Sequence, residues 1–137
     1  MENYGVMIPL VSPMMEDGVT VDEQALVKII EYFLSCGVTS LLASAGTGEV
    51  MFIPREAKKR VMEITVKTVN NRVPVAAGVV EITLEDTIRA ALAAKSTGVE
   101  ALLVSTPFGS DISLQGIIDF YRTVDAAVQM PIMPCSE

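Results

Sequence analysis

Two stretches, "CGVTSLL" (36–42) and "TGVEALL" (97–103), share one pattern: Gly-Val, two variable positions, then Leu-Leu. In both, an amphipathic segment stops and an apolar run begins. Glycine suits the left-handed residue that closes a helix. The valine and leucines that follow suit a buried strand. The same helix-to-strand junction, used twice in one chain, is an internal repeat of a βα unit.

Working outward, short apolar runs alternate with longer amphipathic ones. The pattern predicts strands over 6–11, 38–43, 73–77, 100–105 and 130–133. Helices are predicted over 22–35, 54–69, 83–97 and 114–128. Pro54 opens the second helix, where a missing amide costs nothing. Thr83, with Asp86 three residues on, has the form of a capping box, and Ser113 caps the fourth helix. Gly37 closes the first helix, Asn70-Asn71 follow the second, and Gly78 is read as ending the third strand. The order β-α-β-α-β-α-β-α-β predicts a parallel sheet with right-handed crossovers. Repeated βα units suit a (β/α)8 barrel better than an open sheet, but a closed barrel takes eight strands and ~250 residues. The 137 residues therefore read as one domain over 1–137: a partial TIM barrel of about four βα units plus the start of strand five.

Composition narrows the function. Half of the residues are hydrophobic and the mean hydropathy is +0.46, which fits strands covered on both faces. The longest charge-free segment, 32–48, holds too many Ser, Thr and Gly residues for the ~20 apolar residues of a membrane span. No signal peptide is recognisable at the start, so a cytoplasmic location is the default expectation. A net charge of −7 argues against nucleic acid, which needs clustered Lys and Arg. With no histidine and only Cys36 and Cys135, neither a metal site nor a disulfide framework is expected. No cofactor motif for flavin or nicotinamide is present.

The chemistry-bearing stretch is "LLASAGTGEVMF" (41–52), where an apolar run ends in Ser44 and passes into Ala45-Gly46-Thr47-Gly48-Glu49. A P-loop would need a lysine after its second glycine, and a dinucleotide fingerprint would need glycine at Met51. Two readings stay open on the residues alone. Both glycines permit a turn with positive φ, or exposed amides and the Thr47 hydroxyl grip a small carboxylate.

Three further fragments supply context: Ser12-Pro13-Met14 with Asp17-Gly18 and Asp22, Pro74-Val75-Ala76-Ala77-Gly78, and Thr106-Pro107-Phe108-Gly109. In order and spacing they resemble, together with 45–49, the dihydrodipicolinate synthase / N-acetylneuraminate lyase family of Schiff-base-forming aldolases and dehydratases. The resemblance runs from Gly5 to about Pro134. It implies a TIM-barrel lyase acting on pyruvate or a related 2-keto acid through a lysine imine. It further implies that Gly46 and Thr47 form the cradle for the keto acid's carboxylate, with Thr47 also relaying protons and Glu49 bracing the loop.

The departures matter as much. Gly46 stands where the family carries a hydroxyl residue, and Gly109 and Cys135 stand at positions where it carries tyrosines. The imine lysine belongs to strand six, so no Schiff-base lysine is expected in this chain. Lys28, Lys58, Lys59, Lys67 and Lys95 all fall on helices, away from the strand ends where barrel chemistry sits. The chain alone is expected to be catalytically incomplete. The alternative is a non-enzymatic half-barrel that binds a small carboxylate or self-associates, because bare strand edges and an apolar inner face favour a homo-oligomer.

Overall fold

The computed structural model describes residues 5–107 and 112–135. Five strands alternate with four helices: β1 (Met7–Pro9), α1 (Glu23–Ser35), β2 (Ser40–Ala43), α2 (Arg55–Val69), β3 (Val75–Val79), α3 (Leu84–Lys95), β4 (Ala101–Ser105), α4 (Leu114–Val128) and β5 (Ile132–Cys135). A 3-10 turn, Gly46–Gly48, lies between β2 and α2.

The caps explain the helix starts. Asp22 accepts the Ala25 N–H at 3.0 Å, Thr83 Oγ1 accepts the Asp86 N–H at 3.1 Å, and Ser113 Oγ accepts the Gly116 N–H at 3.1 Å. The Asp86 carboxylate takes the Thr83 hydroxyl at 2.8 Å instead of the backbone amide that a full capping box would engage. Pro54 is the cap residue itself and α2 begins at Arg55. In both repeat units the glycine is left-handed, Gly37 at φ 78° and Gly98 at φ 90°, so the junction read from sequence is the one formed.

Strand limits moved where tertiary pairing overrides local pattern. β3 runs through Gly78, which pairs with Leu103, and stops at Val79, so the glycine does not end the strand. β5 starts at Ile132 because the left-handed Gln129 (φ 51°) ends α4 and the chain needs two more residues to reach the sheet. β1 is paired over three residues only.

The sheet order is β1-β2-β3-β4-β5 and every pair is parallel. Sequential order separates a barrel from a doubly wound sheet, whose strand order reverses about its first strand. Helix placement agrees. Leu41, Ala43, Val75, Ala77, Val79, Leu102 and Val104 point to one face and pack with residues of all four helices, among them Leu26, Val61, Ala91 and Val124. The alternate positions Leu42, Ala76 and Ala101 join Ala45, Met7, Leu103 and Met133 in a small cluster on the other face, with no helix packed over it among the described residues. That is the arc of a (β/α)8 barrel: helices outside, a strip of small apolar side chains inside, and β1 and β5 at its two edges. Among the described residues no helix is long and apolar enough to cross a membrane.

Ion pairs tie the helices together on the outside. Arg72 grips Glu31 of α1 with two bonds, 2.8 and 2.5 Å, and Arg60 of α2 reaches Glu23 at 2.6 Å. Hydrogen bonds from these arginines hold the Glu23 and Glu31 carboxyls below their usual range, and the Thr83 hydroxyl, then Arg55, does the same for Asp86. A carboxyl whose folded pKa is depressed stabilises the fold above its unfolded pKa and loses that contribution as pH falls through the folded pKa. Thermal unfolding followed from pH 7 to pH 3 is therefore expected to give a level midpoint down to about pH 4.5 and a progressive fall below it. A midpoint that rises on acidification would contradict these pairings.

Candidate functional site at the strand ends

All five strands are parallel, so their C-terminal ends share one rim. β2 leaves the sheet at Ala43. Ser44 takes φ 56°, Ala45 is extended, Gly46–Gly48 make the 3-10 turn, and Glu49 takes φ 55°. The positive φ values therefore fall on Ser44 and Glu49 and not on the two glycines. Of the two readings left open for Gly46 and Gly48, the left-handed turn is not the one formed.

Gly48 has a different task. A Cβ there would lie 2.8 Å from Ser12 Oγ and 3.0 Å from the Leu10 carbonyl, so the turn packs directly onto the end of β1. Gly78 does the same from β3, where a Cβ would meet the Ser44 carbonyl at 2.5 Å and Ala45 Cα at 2.7 Å. The turn is wedged between the ends of β1 and β3, with left-handed backbone on either side of it at Ser44 and Glu49.

Within the turn, Gly48 N–H donates to the Ala45 carbonyl at 2.9 Å, Glu49 N–H to Gly46 at 2.9 Å, and Val50 N–H to Ala45 at 3.3 Å. The N–H groups of Gly46 and Thr47 open the turn and have no acceptor among the described residues. The Thr47 hydroxyl has no partner there either, and Gly46 and Thr47 are both exposed. Two adjacent free amides and a hydroxyl make a compact donor set suited to an anion. The Glu49 carboxylate is exposed and engages no group among the described residues, so its bracing is done by its main chain: the N–H to Gly46, and the carbonyl to Phe52 N–H at 2.8 Å.

Cys135 ends β5 on the same rim, in register with Ser105 of β4. β3 and β4 separate it from the Thr47 turn in sheet order, and no hydrogen bond joins the two. Gly109 lies outside the described residues. A tyrosine that the sequence reading did not single out comes close to Cys135. Tyr121 of α4 donates its hydroxyl to the Val104 carbonyl at 3.0 Å. Burial raises its phenol above the ordinary range, a nearby Cys135 thiolate would add to that, and the Cys135 N–H opposes it.

The lysines all lie on helices. Lys58 pairs with Glu81 at 3.2 Å, Lys59 with Glu63 at 3.9 Å, and Lys95 donates to the Val128 carbonyl at 2.6 Å. Lys28 is exposed on α1, as read from the sequence. With Pro9, Val11, Ile29, Tyr32 and Phe33 it lines an open apolar groove of about 480 Å3 beside β1, and Thr47 stands on the wall of that groove. A second cavity of about 290 Å3 separates α2 from α3, and the Arg55–Asp86 and Lys58–Glu81 pairs line it. Among the described residues no group of three or more Cys, Asp or Glu side chains could hold a metal ion.

The model of the dihydrodipicolinate synthetase family matches residues 2–134. The 4-hydroxy-tetrahydrodipicolinate synthase of Phenylobacterium zucineum is 37% identical over 129 residues, covering 94% of this chain and 43% of that protein. The same enzyme of Bacillus subtilis is 34% identical over 132 residues, covering 96% and 45%. Among solved structures, the dihydrodipicolinate synthase of Acinetobacter baumannii complexed with pyruvate superposes with a TM-score of 0.89 at 29% identity, over 95% of this chain and 44% of that one. The chain thus spans somewhat less than half the length of the relatives it matches.

Proposed function

This chain belongs to the dihydrodipicolinate synthetase family, and from that membership we propose that its strand ends serve imine-type chemistry on pyruvate or a related 2-keto acid. Gly46 and Thr47 hold the carboxylate in this reading, and Thr47 moves a proton at the carbonyl. One observation carries it: the paired N–H groups of Gly46 and Thr47 and the Thr47 hydroxyl lie on exposed residues after β2 and have no partner among the described residues. A carboxylate has two oxygens to set against such donors, and bonds to a charged acceptor are the strong ones. The chemical step would run through a lysine amine that adds to the keto carbon, expels water and leaves a protonated imine as electron sink. No lysine among the described strand ends can supply that amine, so the amine would come from beyond the five strands. Cys135 would occupy the tyrosine position near the imine, where a thiol is a poorer hydrogen-bond donor.

Titration of the chain with pyruvate, followed by NMR, tests the cradle. Thr47→Ala is expected to weaken binding about tenfold, the loss of one hydrogen bond to a charged group. Unchanged affinity in the variant would remove Thr47 from the site.

The bare edges of β1 and β5 favour a second reading, in which this half-barrel associates with another copy and binds a small carboxylate without chemistry. Sedimentation across a concentration series separates the two, since a chain that stays monomeric has no such partner.

A further inference from the structure

Among the described residues two buried side-chain oxygens lack any hydrogen-bond partner, Ser12 Oγ and Ser44 Oγ. Both stand at strand ends on the rim, one beyond β1 and one directly after β2. Ser44 is fully buried and takes the left-handed φ of 56°, a conformation that strains a residue other than glycine. Ser12 Oγ lies against Gly48, where it is the first atom that an added Cβ would meet. An unpaired buried hydroxyl is expensive, and neither hydroxyl serves the fold, because alanine would fill either position without a polar atom. Costs of this kind gather where a site waits for its ligand.

We propose that Ser12 and Ser44 are positioning residues of the cradle, with hydroxyls that stay unpaired in the empty site and gain acceptors when a small 2-keto acid is bound, a role that rests on the turn holding a carboxylate. The Gly46 and Thr47 N–H groups belong to the same peptide units as the Ala45 and Gly46 carbonyls. Those carbonyls already accept the bonds that close the turn, so the acceptors for the two hydroxyls would be the oxygens of the bound keto acid itself, seated on the amides at the same strand ends. Hydrogen bonds made only in the bound state count in full toward affinity. They also offset the loss at Gly46, which brings no hydroxyl of its own to the turn.

Ser12→Ala and Ser44→Ala, made in the 137-residue chain, test this with two measurements that should move in opposite directions. Without ligand each variant is expected to melt about 3–6 °C higher, because an unsatisfied polar group has been removed. Each should also bind pyruvate roughly tenfold more weakly. Ser12→Thr keeps the hydroxyl and is expected to bind like the parent. A serine that is only a packing defect would raise the melting point and leave pyruvate binding alone, and that result overturns the role. A lower melting point in the alanine variants would overturn it too, since the hydroxyls would then already have partners. If the parent itself does not bind pyruvate, the carboxylate role of the turn fails at that first titration and the serine role goes with it. If the parent binds and Thr47→Ala loses binding while the serine variants retain it, only the serine role is lost.

Discussion

Gly78→Ala is expected to destabilise the chain by about 3 kcal/mol and to abolish pyruvate binding at the same time. The added methyl would sit 2.5 Å from the Ser44 carbonyl oxygen and 2.7 Å from Ala45 Cα. Both are backbone atoms, so no side chain can swing aside to make room. Nor can β3 retreat, because it is paired on one side with β2 and on the other with β4. The strain must therefore pass into the chain at Ser44–Ala45, the segment that carries the Gly46–Gly48 turn. Urea unfolding of the purified variant would show a lower midpoint, and amide shifts at Gly46 and Thr47 would report the displaced turn. A variant as stable as the parent, with those shifts unmoved, would mean that the β2–β3 wedge is looser than the contacts imply.

The sequence was legible where one residue answers to one local cause. Glycine before Val-x-x-Leu-Leu marked both helix-to-strand junctions, and Thr83 and Ser113 marked caps that the structure forms. The family pattern at 45–49 also located the turn. The same residues left open why glycine is needed there. A left-handed dihedral and a close approach both call for glycine, and at Gly48 only the position of Leu10 and Ser12 in space distinguishes them. The strain went instead to Ser44 and Glu49, which no local rule would choose. The unpaired hydroxyls of Ser12 and Ser44 were invisible for a similar reason: whether a serine has a partner is a question about neighbours distant in sequence. Lys28 was correctly read as a residue on an exposed helix surface. That it shares a groove with Thr47 depends on how α1 and the end of β1 are placed in space, which periodicity does not encode.

The open edge of β1 governs what the chain can do with pyruvate and borohydride, a treatment that traps an imine as a stable amine. Alone, the chain is expected to gain no mass. Combined with a polypeptide carrying strands six to eight of a relative, the mixture is expected to gain one reduced pyruvate, on a lysine of that partner. Imine formation needs a neutral amine held beside the keto carbon in a site that excludes water. Here Lys58, Lys59 and Lys95 are engaged with carboxylates or a carbonyl, and Lys28 and Lys67 are exposed. The inner face, where the amine would have to enter, holds Met7, Leu103 and Met133 only partly covered, and strands added at β1 and β5 would close over it. An adduct on Lys28 in the chain alone would move the chemistry to the groove beside β1 and displace the family route. A stable complex of the two halves that traps nothing would leave the turn as a carboxylate binder and no more. A single adduct on the partner's lysine, lost in Thr47→Ala, would tie the cradle of this chain to catalysis completed from the other side of the barrel.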